Sequence, residues 1–446
     1  MSETAGAAPI ETQILVAGAG STGLAAALAF ARAGWRVTLA GRPPAPLPGR
    51  TVALFEASVR FLESIGALEA VKAAACPIET IRMIDDTDQL LPVPDLVMRA
   101  EEIDLPAFGY NVSNDELTAI LQERARAESI EIVEAEIADY DFEGDLVAAR
   151  LADGRRIEAQ FVIAADGRAS RARNAAGIDT KEWTYPQIAL TALLRHELPH
   201  DNISTEYHTR SGPFTLVPLP ACGEAENRSS LVWLMSPRDA RRRLAKPRAE
   251  LEYELEDHAH GKLGTMTIES DIGEFRMGGM QVSRLTAGRL ALVGETCHVF
   301  PPIGAQGLNL SLRDVADLED CLASVDLRNE RELSRALLRY ELQRRADIGF
   351  RTHGVDLLNR SLIIPYLPID LIRGAGFVAM TALGPLRRAV MREGVAPHLA
   401  RPRLMRGEEP REPRLRGKRP RPGAELVGAA REALALLRPG RRGAGR

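Results

Sequence analysis

The sequence predicts an α/β fold: a mostly parallel sheet, a β-rich second domain inserted into it, and helices toward the C-terminal end. Three observations predict it. Residues 14–17, Ile-Leu-Val-Ala, form a continuous apolar run of the kind buried on both faces of a parallel sheet, followed at once by a Gly-rich turn and an Ala-rich segment. Two later apolar runs, 161–165 and 290–293, break off in the same manner, at Asp166-Gly167 and Gly294-Glu295. Between these runs, 181–282 shifts to Tyr, Trp, Thr and Pro with short apolar stretches such as 214–219 and 230–235, the texture of antiparallel β structure.

Each element has its own signal. Residues 24–33 are Ala-rich and helical, Gly34 stops them as a C-terminal cap, and Val37-Thr38-Leu39 begins a second strand, which completes a βαβ unit. Asp153-Gly154, flanked by alternating apolar positions over 146–159, reads as a tight hairpin leading into the 161–165 strand. Helical spacing of Leu308, Leu312, Val315 and Leu318 opens a helical region through 350, and 354–392 reads as apolar, Pro-punctuated helices. Beyond Pro397 the Pro, Arg and Gly content rises, so 401–446 is expected to be a mostly disordered basic tail with a short helix around 429–437. The expected organisation is one discontinuous domain from 10–75, 106–180 and 283–345, a β-rich substrate domain from 76–105 and 181–282, a helical segment 346–400, and the tail.

Composition narrows the function. With 446 residues, 45% hydrophobic and 26% charged, the chain has ordinary globular composition, which excludes wholesale disorder. Residues 401–446 hold 14 Lys/Arg against 5 Asp/Glu, a net of +9, which leaves −13 on the first 400 residues and argues against nucleic acid as a partner of the body. The four cysteines, Cys76, Cys222, Cys297 and Cys321, form no CxxC pair, which speaks against a zinc site or a disulfide framework and for a reducing, cytoplasmic compartment. No signal peptide is expected, since the first basic residue is Arg32. The most apolar stretch, 361–386, is interrupted by Asp370 and Arg373, so any membrane contact is expected to be peripheral, at the inner membrane surface.

The chemistry is carried by three motifs. In Gly18-Ala19-Gly20-Ser21-Thr22-Gly23 the first glycine permits the tight turn, the second lets the backbone approach a pyrophosphate, and the third allows close packing of helix and strand. The end of the second strand reads Leu39-Ala40-Gly41-Arg42, with no carboxylate where one usually accepts ribose hydroxyls. Asp166-Gly167, followed by Ser170, Arg171 and Arg173, taken alone is compatible with a plain strand-to-loop turn. The segment from Gly294 to Asn309 is more specific. Pro301 and Pro302 stiffen it, its glycines let the backbone approach a flat ligand, and a helix begins near Gly307 with unpaired amides facing the loop. Such a helix end stabilises an adjacent anion by about 0.3 to 2 kcal/mol.

Together with Arg50 in GRTVAL, these motifs resemble the FAD-dependent aromatic hydroxylases, the class A flavoprotein monooxygenases. Within that family, GAQGLNLSLRDVADL and the segment from Asp356 to Gly394 resemble ubiquinone-biosynthesis hydroxylases of the UbiH/UbiF/VisC type, over about residues 12–397. The resemblance implies a Rossmann-like FAD-binding domain with the pyrophosphate at Gly18, Ala19, Gly20 and Gly23. It implies flavin or ribityl contact by Arg50, a motif shared between FAD and NAD(P)H at Asp166 and Gly167, and contacts near the ribityl or phosphate at Gly294 and Glu295. Gly304, Ala305, Gln306, Gly307, Leu308 and Asn309 would lie beside the isoalloxazine. Glu295 stands where the family usually has Asp or Asn.

The implied reaction is hydroxylation of a lipophilic polyprenyl phenol through a C4a-hydroperoxyflavin, with NAD(P)H as reductant and O2 as co-substrate. The alternatives are hydroxylation of a small soluble aromatic and a non-catalytic accessory protein with the flavoprotein fold. His298, in the flavin loop, is either a group that orients substrate or a structural histidine, and Cys297 has no partner cysteine. His196, His200 and His208 are expected to be solvated rather than metal-binding, and no metal is expected. The apolar helices with Arg360, Arg373, Arg387, Arg388 and Arg392 suit either a membrane surface admitting a polyprenyl tail or simple packing. Contact with a quinone-biosynthesis protein complex is a further expectation.

Overall fold

The computed structural model describes residues 8–46, 49–87, 94–300, 305–363, 376, 378–395 and 401–411. Strand β1 (Ile10–Ala17) enters helix α1 (Ser21–Arg32), which returns to strand β2 (Val37–Ala40). β1 and β2 run parallel, with Ala17 opposite Ala40, and β1 also pairs in parallel with Arg156–Ala164, which in turn pairs in parallel with Leu290–Leu292. On the far side of β2 lies the short parallel strand Glu131–Val133. These form the spine of an eight-stranded sheet. Its central strands are buried on both faces, as continuous apolar runs require: Ile14, Leu15, Val16 and the 161–164 run are fully buried. The Asp153-Gly154 turn closes the expected hairpin, with Val147–Leu151 antiparallel to Arg156–Ala164.

A nine-stranded sheet forms the second layer, centred on the 17-residue strand Thr180–His196, which pairs with Arg228–Met235 on one side and Gly273–Val282 on the other. Thr80–Asp86 and Leu96–Arg99 extend it at one edge. At the opposite edge sits His298–Val299, so the loop that follows Gly294 is stitched to this second sheet through Met280 and Gln281. A third, three-stranded sheet contains β3 (Thr51–Phe55), which feeds helix α2 (Glu56–Ser64).

The structure departs from the expectations in four places. The β-rich region also contains two helices, Pro237–Leu244 and Arg248–His258; Ser236 caps the first and Pro237 starts it. The helical region expected to end at 350 is two helices, Gln306–Leu322 and Glu330–Ile363, and the second continues past 350. His196 and His208 are buried, not solvated: His196 bonds the Leu198 carbonyl and Ser229, and His208 bonds Glu206. Finally, the basic tail does not begin at 401. Residues 403–406 form a 3-10 turn with Arg403, Leu404 and Met405 buried, because Arg403 reaches two acids, Glu319 and Asp320, of the helix Gln306–Leu322. The expected helix at 429–437 and the rest of the tail lie outside the described residues, as do Pro301, Pro302, Gly304 and the side chains of Arg360 and Arg373.

Candidate functional site

The parallel strands end on one rim. Gly18 donates its amide to Ala40 O at 2.8 Å, Ala165 to Ala17 O at 2.7 Å, and Val293 to Ala164 O at 3.0 Å. The residues that follow these strand ends, Gly18 and Gly41 directly and Asp166 and Gly294 one residue later, are therefore delivered to the edge where open α/β sheets bind ligands. A cavity of about 270 Å³ opens there, lined by Gly18, Gly41, Arg42, Glu136, Tyr140 and Asp166 among others.

The three motif glycines separate by what surrounds them. Gly18 has φ +113°, and a Cβ on it would meet Ala165 O at 2.3 Å. On Gly23 a Cβ would stand 1.8 Å from Gly18 O. Both are glycine for the fold. A Cβ on Gly20 would meet nothing within 4 Å. Among the described residues its lack of a side chain relieves no contact and leaves an open backbone surface at the start of α1, which fits a dinucleotide pyrophosphate against that helix's amides.

Asp166 turns back on its own loop. One oxygen accepts from Ser170 Oγ at 2.5 Å, the other from the Arg171 and Ala172 amides at 2.8 and 3.2 Å, fixing the short helix Arg171–Ala175. Gly167 takes φ +79° to make this turn. Arg50 lies with its guanidinium 4.8 Å from the centre of the Phe275 ring, tying the loop before β3 to the β-rich sheet. Glu295 is exposed on the Gly294–Thr296 turn.

The helix Gln306–Leu322 starts from Ala305, which holds φ +51°. Asn309 uses its whole side chain on the protein. Its nitrogen donates to Ala53 O and Ala305 O at 2.8 and 2.6 Å, and its oxygen accepts from the Phe55 amide and Ser58 Oγ at 3.0 and 2.7 Å. It clamps the helix start to β3 and α2. Gln306 accepts from Arg351, and Leu308 is half-buried against the core.

Behind the loop runs a buried charge cluster that the motifs did not announce. His298, 1% exposed, bonds Asp314 at 2.7 Å; Asp314 also accepts from the Gly294 amide at 2.8 Å and from Arg344 at 2.7 Å. Arg344 continues to Asp317 and Asp347 at 2.9 and 2.7 Å. Burial works to raise the Asp314 pKa, but the charges of His298 and Arg344 outweigh it and hold the carboxyl below its usual value. For Asp317 burial wins, pushing it up to about 6. This placement favours the structural reading of His298. Cys297, His298 and Asp314 bring possible ligand atoms within 4.8 Å of one another, but the Asp314 oxygens are already engaged by His298, Gly294 and Arg344. Their signal in the sequence was polar residues on both faces of an apolar-spaced helix, a pattern that also describes a solvated face.

Comparison with known proteins bears on the same residues. Residues 11–349 match the family described as FAD binding domain. The chain is 32% identical over 414 residues to the ubiquinone hydroxylase UbiL of Rhodospirillum rubrum, covering 90% of this chain and 94% of that one. It is 30% identical over 392 residues to the 3-demethoxyubiquinol 3-hydroxylase of Escherichia coli, covering 85% and 97%. Among solved structures, p-nitrophenol 4-monooxygenase PnpA of Pseudomonas putida superimposes with a TM-score of 0.70 at 18% identity, covering 88% of this chain and all of that one, a likeness of fold. The matched family, the rim of strand ends and the open cradle at Gly20 agree: this chain belongs to the FAD binding domain family and is an FAD-dependent monooxygenase of the aromatic-hydroxylase group that its motifs resemble.

Proposed function

We propose that the protein hydroxylates the aromatic ring of a polyprenylated phenol in ubiquinone biosynthesis, taking electrons from NAD(P)H and oxygen from O2. The observation that carries the substrate class is the near full-length likeness to two relatives named as hydroxylases of ubiquinone or its precursor. FAD, when bound, supplies the oxygen-activating chemistry. The chain's own residues bind, orient and shield. The amides at the start of α1, reached across Gly20, would take the pyrophosphate, and the amides opening the helix Gln306–Leu322 would face negative charge on the flavin ring. Asn309 fixes that helix start, and Asp314 fixes Gly294 and His298 behind it.

A lipophilic substrate calls for access to a lipid surface. No described helix is long and apolar enough to cross a membrane. Val378, Leu383, Leu386 and Val390 are exposed near Arg388 and Arg392, a mixture suited to peripheral contact with an anionic bilayer. The test is genetic and chemical. Deleting the gene should cause a ring-underhydroxylated prenyl phenol to accumulate, identified by mass spectrometry, and restoring the chain should remove it. Unchanged quinone, or turnover confined to small soluble phenols, overturns the proposal.

A further inference from the structure

At the end of β2, where a carboxylate normally accepts the ribose hydroxyls of a bound dinucleotide, this chain carries Gly41. The backbone there leaves no space for a side chain: a Cβ on Gly41 would lie 2.8 Å from the Ala19 nitrogen and 3.0 Å from Gly18 Cα. The usual acceptor is missing, and the cavity beside it remains.

Two carboxylates line that cavity, Asp166 and Glu136. Asp166 is spent on Ser170 and two backbone amides. Glu136 follows the strand next to β2, Glu131–Val133. Gly41 donates its amide to Val133 O at 3.1 Å, the chain turns tightly through Ala135, whose amide bonds the same carbonyl at 2.8 Å, and Glu136 follows. Its backbone is held by the Ala152 amide at 2.8 Å. Among the described residues its side chain pairs with Arg171, at 3.5 Å, and both remain about half exposed, 49% and 56%. Glu136 is thus a half-exposed carboxylate just beyond the strand beside β2, at the wall of the same cavity, with the Arg171 guanidinium next to it.

We infer that Glu136, oriented by Arg171, accepts the adenosine ribose hydroxyls of FAD in place of the residue absent at Gly41. The assignment rests on FAD as the cofactor and names the specificity contact within its site. An ionised acceptor for sugar hydroxyls contributes a charge-assisted hydrogen bond, worth about tenfold in affinity.

The test uses the full-length apoprotein and flavin-fluorescence quenching. FAD is compared with its analogue lacking both adenosine ribose hydroxyls and with FMN, on the unaltered chain and on Glu136→Gln, with circular dichroism to confirm folding. The expected result has three parts. The unaltered chain binds the hydroxyl-free analogue about tenfold more weakly than FAD, Glu136→Gln binds FAD about tenfold more weakly and no longer distinguishes the two, and FMN binding is the same in both proteins. Undiminished FAD affinity in Glu136→Gln overturns the assignment, as does retained discrimination between the two dinucleotides. Displacement of FAD by 2′-phospho-ADP-ribose more readily than by ADP-ribose also overturns it, because Arg42 and Arg171 would then be reading a phosphate. An unaltered chain that takes up no FAD overturns the cofactor along with it, and this outcome differs visibly from the others.

Discussion

Gly20 and Gly23 lie three residues apart in one turn, yet they answer to different constraints. The Gly23 position is filled by Gly18 O, so Gly23→Val should fail to reach a folded state, whereas Gly20→Val has open space for its side chain and should fold with the parent's circular dichroism and melting temperature. The added isopropyl group would then stand in the path of the pyrophosphate, and FAD affinity should fall by about tenfold or more in a fluorescence titration. A folded Gly20→Val protein with undiminished FAD affinity would remove this turn from the binding site. The spacing of the glycines was legible in the sequence. The motif also assigns the second glycine to the ligand and the other two to the fold; what it does not show is the atoms that enforce this, Ala165 O and Gly18 O, which are brought close only by folding. The same holds for Asn309, expected beside the flavin ring and found with its four hydrogen bonds directed to β3, α2 and Ala305.

At the scale of elements, the helix Gln306–Leu322 shows how far periodicity reaches. Leu312, Val315 and Leu318, read as its apolar face, are buried. So are Arg313, Asp314 and Glu319, which share the helix, and Arg344 from the next one. Charged side chains at helical spacing signal a solvated face unless a partner from elsewhere accompanies them inward, and partners 27 to 34 residues away, or 84 for Glu319 and Arg403, carry no local mark in the sequence. Arg344→Met should therefore be costly. It would leave Asp314 and its neighbours buried without their cation, and urea unfolding should show a loss of about 3 to 5 kcal/mol. A loss below about 1 kcal/mol would mean that the cluster is not an energetic unit.

Across the whole molecule, the segment 401–411 straps the C-terminal end to the first domain. Leu404 and Met405 pack against the main core, and Arg403 closes over Glu319 and Asp320. Ending the chain after 400 should lower stability by several kcal/mol, on the order of 3 to 6, and ending it after 411 should retain that stability, as judged by urea or thermal unfolding. The strap also carries a pH dependence. Burial pushes the Glu319 carboxyl up to about 7 from an ordinary value of 4.5, with Arg403 only partly opposing it. Between those two values the folded state holds a proton that the unfolded chain has released. Stability from this group is therefore complete below about pH 4.5 and is lost as pH rises toward 7. Glu319→Gln should flatten that part of the melting profile between pH 4.5 and 7, and an unchanged slope would assign it to other groups. The sequence showed 401–446 only as basic and Pro-rich, so a binding segment of eleven residues was hidden in a composition that suits disorder.

What the sequence by itself determined is the local chemistry of the strand ends. Apolar runs stopping at glycine or Asp-Gly commit the backbone to strand, turn and helix wherever they occur, and three such stops in one chain imply a dinucleotide-binding rim. Only the tertiary structure decided how charges pair across that frame. It set Asp314 against Arg344, Arg403 against Glu319, and Glu136 beside the empty position at Gly41. The reason is physical: turn and strand preferences arise from neighbours along the chain, whereas burying a charge is decided by whichever distant group arrives to balance it.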